Sequence, residues 1–242
     1  MHLEVDDERL LDTPYDALSS GLLNKPFVKV ERLGKYLLLK VDTDRSLMIH
    51  FGMSGSLAPV SAGEDWPRFS YVRFLFSDGG GLAFRCPRKL GRIKLVRDLD
   101  DLREQKKLGP DALHLDEARF FEILDARMAP VKSVLMNQSL LAGVGNWIAD
   151  DALFRAGIYP ASPCRQLTEE DKKRIYESVQ LILNMAIDCQ ADYACFPDHL
   201  IFHQRSRKGV SPATGKPIAK MQVSGRSTYY CPDTQSPEGY SG

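Results

Sequence analysis

The sequence predicts an α+β fold with a β-rich N-terminal part, a helical middle part and a short C-terminal β-hairpin. Short runs of alternating apolar and polar residues, separated by glycine-rich turns, fill residues 1–98 and indicate a β-sandwich or barrel. Apolar residues at helical spacing dominate residues 99–192, and strand-like alternation returns within residues 199–242. These three ranges are the predicted domains.

The composition is that of a globular protein. The 242 residues are 43% hydrophobic and 26% charged, enough for one large or two small domains. Thirty-two basic residues balance 32 acidic ones, so any nucleic-acid footprint must be local. The five cysteines form no Cys-x-x-Cys pair, which predicts reduced thiols and no metal site. Neither a signal peptide nor an apolar run of about 18 residues is found, so we expect an intracellular protein without a membrane partner.

The N-terminal part is predicted to contain six strands and one helix. The strands are placed at residues 2–5, 27–32, 36–41, 47–50, 71–76 and 82–84. Residues 15–23 favour a short helix after Pro14, and Asp78-Gly79-Gly80-Gly81 is typical of a hairpin turn.

Two positions in this part have both a structural and a functional interpretation. Lys35 begins a strand after Gly34, where a lysine is most often simply solvated. Met53 lies between Gly52 and Gly55 on a loop after a strand. It is either a core methionine beside a turn or an exposed, flexible apolar side chain that can wedge between bases.

The middle part is predicted to be helical. Helices are placed at residues 102–107, 117–124, 128–138, 147–156 and 169–189. Thr168 followed by Asp171 indicates a capping box at the start of the last and longest helix. Gly157 is expected to end the helix before it.

A glycine-rich turn at residues 142–145 separates two of these helices. We expect Asn146 to be the N-cap of the following helix, with Asp150 and Asp151 favourably placed in its first turn. Free amides at such a helix start form a phosphate cradle. The structural alternative is a helical hairpin whose turn requires glycine.

The C-terminal part is locally basic. Residues 199–235 contain one acid, Asp233, and six basic residues: Arg205, Arg207, Lys208, Lys216, Lys220 and Arg226. Such a patch suits a phosphate backbone, although a solubilising tail has the same composition. Residues 222–230 alternate like one strand, and a hairpin is expected after Thr214-Gly215.

Taken together, these motifs resemble one protein family. The run GVGNWIADDALFRAGIYP, residues 143–160, is similar to the helix–two-turns–helix signature of the formamidopyrimidine/endonuclease-eight family of DNA glycosylases. The resemblance implies an N-terminal β-sandwich, a helix–two-turns–helix domain and a C-terminal β-hairpin finger, with damaged double-stranded DNA bound in a cleft between the two halves of a monomer.

The resemblance also implies roles for residues of the N-terminal part. Lys35 matches a lysine of the family's active site, and Met53 matches the residue that fills the gap left by the flipped nucleotide. Arg88 and Leu90 match the other two intercalating residues, with Leu90 where phenylalanine is frequent. Cys86 replaces the usual aspartate, without an explanation from the sequence.

In the remainder of the chain, the resemblance implies contacts with DNA phosphates. Lys132, Gly145 and Asn146 would bind the backbone from the helical side. Arg226 would bind phosphates around the damaged nucleotide from the finger, as part of the catalytic site.

The chain departs from the family pattern at the finger. Zinc-bearing members have two Cys-x-x-Cys pairs, where this chain has Ser211 with Thr214 and Cys231 with Thr234. One thiolate does not hold a tetrahedral zinc, so we expect a zincless finger and no cofactor. The connection at residues 191–203 leaves little room for a long lesion-capping loop.

The family's N-terminal proline and glutamate have no counterpart, because the chain opens MHLEVDDERLL. Either the sequence is a shortened form of a complete enzyme, which we favour, or it is a variant that binds damaged DNA without cutting it. The implied function is base excision repair by glycosylase and abasic-site lyase chemistry, with Lys35 as the substitute amine if its surroundings lower its pKa. An RNA-binding α+β protein is the third interpretation.

Overall fold

The computed structural model describes residues 1–41, 44–206 and 208–237. The predicted α+β fold is confirmed. The chain forms two compact units, one spanning Met1–Lys106 and the other beginning at Lys107. Arg207, one of the basic residues of the C-terminal part, lies outside the described residues, as do residues 238–242.

The first unit is a sandwich of two four-stranded antiparallel sheets. One sheet has the order β1 (His2–Val5), β6 (Ser70–Leu75), β7 (Gly81–Arg85) and β5 (Ser56–Val60). The other has the order β2 (Phe27–Leu33), β3 (Tyr36–Val41), β4 (Ser46–His50) and β8 (Arg92–Val96). The α-helices α1 (Tyr15–Leu22) and α2 (Leu99–Lys106) also belong to this unit.

The two sheets bury a common apolar core. Its largest side chains include Leu3, Phe74 and Phe84 from one sheet and Leu47, Ile49 and Ile93 from the other. Full burial of such a side chain contributes about 1.5–3 kcal/mol. This explains why the alternating runs of the sequence form a sandwich, since each strand presents every second residue to the core.

Two strands of the structure, β5 and β8, are not among the six predicted from the sequence. β5 contains Pro59, a residue that weakens a strand prediction, but β5 is an edge strand, where a missing amide proton is tolerated. β8 is also an edge strand and follows directly after a loop.

Among its described residues, the second unit has four α-helices: α3 (Glu117–Asp125), α4 (Val131–Met136), α5 (Asn146–Ala156) and α6 (Glu169–Asp188). The predicted capping box of α6 is confirmed, with Thr168 and Asp171 bonded reciprocally. Gly157 ends α5 in the left-handed region, at φ 71°, as predicted. The core of this unit lies where α5 packs against the buried face of α6.

The C-terminal hairpin of this unit differs from the predicted one. The single strand expected at residues 222–230 is wrong, because two strands, β9 (Ala219–Val223) and β10 (Arg226–Tyr230), pair across a two-residue turn. Ser224 and Gly225 both have positive φ, 47° and 74°, which gives the tight reversal that suits a twisted hairpin. The alternating pattern continues through so short a turn and hides it.

The expectation that all cysteines are reduced is also wrong. Cys189 at the end of α6 and Cys195 form a disulfide, with their Cα atoms 5.6 Å apart. Gln190 and Ala191 adopt positive φ and reverse the chain between them, a conformation that the sequence spacing did not reveal. The free cysteines are Cys86, Cys164 and Cys231, all buried.

Among the described residues, none of the helices combines the length and the apolar character needed to span a membrane.

Candidate nucleic-acid interface

Met53 and Leu90 lie on two loops of the first unit that touch each other. A Cβ atom added to Gly52 would lie 2.7 Å from the carbonyl carbon and oxygen of Leu90, so the two backbones meet at that glycine. Met53 is 69% exposed and Leu90 is 46% exposed. Arg88 is also exposed. The structure therefore brings the predicted wedge residues together and presents their side chains to solvent.

The loop that carries Arg88 and Leu90 is closed by Cys86. The Cys86 sulfur accepts a hydrogen bond from the Gly91 amide at 3.2 Å, and its carbonyl oxygen accepts one from the Lys89 amide at 2.9 Å. An aspartate carboxylate at this position could accept the same amide, which explains how a buried cysteine can replace it. The ring of Phe84 leaves no room for a side chain on Gly91.

Lys35 lies at the same end of its sheet as these loops. It is exposed and precedes Tyr36, the first residue of β3, which pairs with His50 at the end of β4. His50 in turn pairs with Arg92, where β8 begins after the Leu90 loop. The register of the three strands thus places Lys35 and both wedge loops at one sheet end.

His50 is a further residue of this site that the sequence analysis did not single out. Its Nδ1 accepts a hydrogen bond from the Gly52 amide at 3.2 Å, at the base of the Met53 loop. Burial lowers the pKa of His50, and the positive charge of Lys35 lowers it further. The only sequence signal was its place at the end of a strand, beside the glycines.

The close approach at Gly52 gives a testable prediction. Gly52→Ala must place a Cβ against the Leu90 backbone in a left-handed conformation, φ 66°, so we expect a loss of about 1–3 kcal/mol of unfolding free energy. Urea denaturation measures it. Gly63→Ala is the control, because Gly63 has φ 83° but nothing within 4 Å of an added Cβ. Equal losses for the two variants would contradict the proposed close packing of the loops.

In the second unit, the helix after the glycine turn begins one residue earlier than predicted. Gly145 is the N-cap and Asn146 is the first helical residue, so the predicted capping role of Asn146 is wrong. Instead, the side-chain amide nitrogen of Asn146 (Nδ2) donates a hydrogen bond to the carbonyl oxygen of Ser227 in β10 at 3.0 Å. Because the first-turn amides of a helix have no intrahelical acceptors, they can still bind an anion. Gly143 has φ 111°, a backbone conformation that favours glycine.

Lys132 is not at the surface. Its side chain is 1% exposed, and its ammonium group lies 2.6 Å from the Asp150 carboxylate, 2.7 Å from the Thr228 hydroxyl and 3.2 Å from the Ser227 carbonyl oxygen. An ammonium group has three protons to donate, and these three acceptors use them. The prediction that Lys132 binds a DNA phosphate is therefore not supported by its position.

Asp150 and Asp151 do not stabilise the helix start as predicted, because they follow its first turn and are buried. The Asp150 carboxylate faces Lys132, the Arg205 guanidinium at 3.3 Å and the Tyr229 amide at 3.4 Å. Burial raises the pKa of Asp150 and lowers the pKa of Lys132, while their ion pair opposes both shifts. Asp150, Lys132 and Arg205 form a charge network that ties α4 and α5 to β10.

Arg226 lies at the edge of this network. It is the first residue of β10, directly after the Ser224-Gly225 turn, and it is exposed. The next two residues, Ser227 and Thr228, are held by Lys132. An exposed arginine side chain is thus carried by a strand that Lys132 holds in place, in the same unit as Asn146.

The four finger positions Ser211, Thr214, Cys231 and Thr234 come together in the structure. The Thr214 hydroxyl lies 3.7 Å from the Cys231 sulfur. Burial raises the pKa of the Cys231 thiol, but hydrogen bonds from the hydroxyls of Ser211, Thr234 and Thr214 lower it more, so the net shift is downward. Three hydroxyls and one thiol do not fit zinc. No group of three metal-binding side chains occurs in the described part of the chain, and the absence of a cofactor stays a prediction.

Two family models match the chain. Residues 1–93 match the formamidopyrimidine-DNA glycosylase N-terminal domain, and residues 108–196 match the H2TH domain of the same glycosylase. A formamidopyrimidine-DNA glycosylase of Pelotomaculum thermopropionicum is 36% identical over 88% of this chain and 83% of that protein. The protein of that name from Arabidopsis thaliana is 31% identical over 95% of this chain, which spans 63% of the plant protein.

A solved structure of a formamidopyrimidine-DNA glycosylase is also similar to this chain. The Lactococcus lactis formamidopyrimidine-DNA glycosylase, solved non-covalently bound to DNA containing an abasic site, superposes with a TM-score of 0.86. It is 27% identical, and the match covers 97% of this chain and 91% of that one. The relative from P. thermopropionicum exceeds 30% identity over most of its length. The chain therefore belongs to the formamidopyrimidine-DNA glycosylase family.

Proposed function

We propose that this protein is a base-excision-repair DNA glycosylase that acts on oxidised bases in damaged double-stranded DNA and also cleaves at the resulting abasic site. The observation that carries the proposal is the pair of touching loops that expose Met53 and Leu90 beside Lys35. Large apolar side chains are costly to expose in water. Their exposure on neighbouring loops is what a base-stack wedge requires.

The wedge residues act on the base stack. Extruding a nucleotide costs a few kcal/mol, and Met53 and Leu90 offset this cost by filling the vacated space. Arg88, exposed on the same loop as Leu90, is proposed to contact the base left without its partner. The phosphates are bound separately, by the amides of the Gly145–Asn146 turn and by Arg226.

The chemical step requires an amine. Its nitrogen attacks C1′ of the damaged nucleotide, the C1′–base bond breaks and the base leaves with a proton. The C1′–O4′ bond then breaks, O4′ takes up a proton and stays on C4′ as a hydroxyl, and a Schiff base forms at C1′. Removal of a C2′ proton by a base then breaks the C3′–O bond and releases the 3′ phosphate. We propose that Lys35 supplies an amine at this end of the sheet.

Borohydride trapping tests the enzymatic proposal. A duplex with one abasic site is incubated with the protein and sodium borohydride, which reduces a Schiff base to a stable covalent adduct. We expect an adduct on denaturing gels, and peptide mapping identifies the attacking amine. Binding without an adduct would replace the proposal with a catalytically silent protein that binds damaged DNA, and an adduct elsewhere than Lys35 would remove that residue's role.

Replacing Arg226 is expected to weaken DNA binding. Arg226→Ala removes one charge-assisted contact with a phosphate, which corresponds to about 1–3 kcal/mol. Fluorescence anisotropy with an abasic-site duplex measures the change in Kd. Lys173→Ala is the control, because Lys173 is exposed on α6 and has no proposed contact with DNA. Arg226→Ala and Lys173→Ala with the same Kd as the wild type would refute the role of Arg226.

A further inference from the structure

The loop with Arg88 and Leu90 is attached to the N-terminal segment through the residue between them. The Lys89 ammonium group lies 2.8 Å from an oxygen of the Asp7 carboxylate and 4.3 Å from the centre of the Tyr71 ring. The neighbouring Arg88 and Leu90 side chains are exposed. Lys89 therefore contacts the body of the first unit while its two neighbours face solvent.

Asp7 is also held in place by a second partner, Arg9. The Arg9 guanidinium donates to both Asp7 oxygens, at 2.8 and 2.7 Å, and the Arg9 amide donates to one of them at 3.2 Å. The Asp7 side chain is only 8% exposed, covered by the two cationic side chains. Both cations keep the pKa of Asp7 well below its usual range, so the carboxylate is charged in any physiological buffer.

The segment that carries Asp7 is itself fixed to the sandwich. Leu10 is fully buried in the core, and Leu11 forms a parallel bridge with Ile93. The Asp12 amide donates to the Ile93 carbonyl oxygen at 2.8 Å. Ile93 belongs to β8, which directly follows the Arg88–Leu90 loop. This loop is therefore attached to the N-terminal segment at two points: at Lys89, and at the loop's own C-terminal end through Ile93.

The backbone conformation of Lys89 also has to be stabilised by surrounding contacts. Lys89 has φ 53°, in the left-handed region that is unfavourable for a residue with a side chain. A conformation of this kind persists only when surrounding contacts fix it. Three contacts fix Lys89: the Asp7 ion pair, the Tyr71 ring and the hydrogen bond to the Cys86 carbonyl oxygen.

We propose that Asp7, through Lys89, is a positioning residue that holds the Arg88–Leu90 loop in the conformation in which Leu90 enters the base stack. The proposal rests on the proposed function, since it assigns the cause of the wedge geometry. Asp7 does not touch DNA in this role. It acts by reducing the number of loop conformations that must be lost when the duplex binds.

Stopped-flow fluorescence tests the proposal. The duplex carries a tetrahydrofuran abasic analogue with 2-aminopurine opposite it, and loss of stacking during wedge insertion raises the fluorescence. Because partly exposed ion pairs contribute up to about 1 kcal/mol, we expect insertion about three- to fivefold slower in Asp7→Asn and in Lys89→Gln. Lys89→Arg should keep the wild-type rate, and Asp7→Asn with Lys89→Gln combined should be no slower than either alone.

Asp6→Asn is the matched control. Asp6 is the neighbouring acid, but it pairs with Arg73 of β6 at 2.6 Å and should leave the insertion rate unchanged. Thermal unfolding of each variant verifies that the fold is intact, and Lys89→Gln, on an exposed loop, provides the test if Asp7→Asn unfolds.

The outcomes separate two failures. If the wild type gives a fluorescence change and Asp7→Asn gives the same insertion rate, the positioning role alone would be overturned. Tighter binding by Asp7→Asn would also overturn it, because a released Lys89 would then be contacting phosphate directly. No fluorescence change with the wild type would remove the proposed function together with the positioning role.

Discussion

Asp150→Ala is expected to destabilise the second unit by about 3–5 kcal/mol, the typical loss when one partner of a buried ion pair is removed. The Asp150 side chain is fully buried and that of Lys132 is 1% exposed. Removing the carboxylate leaves two cations, Lys132 and Arg205, facing each other without an anion. Lys132→Met should cost less, because Asp150 keeps Arg205 and the Tyr229 amide as partners.

Urea denaturation measures these losses as differences in unfolding free energy. Glu122→Gln is a control in the same unit, because Glu122 pairs with Arg119 at 2.5 Å and both side chains are exposed, 63% and 58%. An exposed pair contributes at most about 1 kcal/mol. A loss from Asp150→Ala as small as that from Glu122→Gln would show that the buried network does not stabilise the unit.

The same network illustrates what the sequence alone could not reveal. A lysine shortly before a glycine turn looks like a phosphate ligand, and nothing local distinguishes it from a buried one. Its partners Ser227 and Thr228 follow it by 95 and 96 residues, so only the tertiary structure shows that the hairpin covers it. The capping role assigned to Asn146 failed for the same reason, since its partner is also Ser227.

Two features encoded within a few residues were predicted correctly. The capping box at Thr168 and the end of α5 at Gly157 depend on neighbouring backbone groups and were found from spacing alone. The exposure of Met53 followed from its flanking glycines and the family resemblance. The contact between its loop and Leu90 could not be predicted, because it joins residues from two separate strand ends.

Asp151→Asn is expected to remove a large pH dependence of stability. Asp151 is 1% exposed; one carboxylate oxygen accepts from the Phe202 amide at 3.3 Å, and the other has no hydrogen-bond partner among the described residues. Burial raises the pKa of Asp151 from 3.8 to about 7. The folded chain therefore keeps a proton between about pH 4 and 7 that the unfolded chain has released, so its unfolding free energy falls as the pH rises through this window.

The size of this effect follows from the shift. At 1.36 kcal/mol per pKa unit, the loss between pH 4 and pH 7 is about 4 kcal/mol, and it is constant at higher pH. Asparagine has nearly the same shape but never carries the charge, so Asp151→Asn should match the wild type only at about pH 4 and be more stable at pH 8. Asp171→Asn is the contrast: burial alone would raise the pKa of Asp171, but hydrogen bonds from Thr168 lower it. The loss of unfolding free energy caused by Asp171→Asn should thus be the same from pH 5.5 to pH 8. Urea denaturation at four pH values gives the profiles, and parallel curves for the wild type and Asp151→Asn would show that Asp151 does not hold a proton in the folded state.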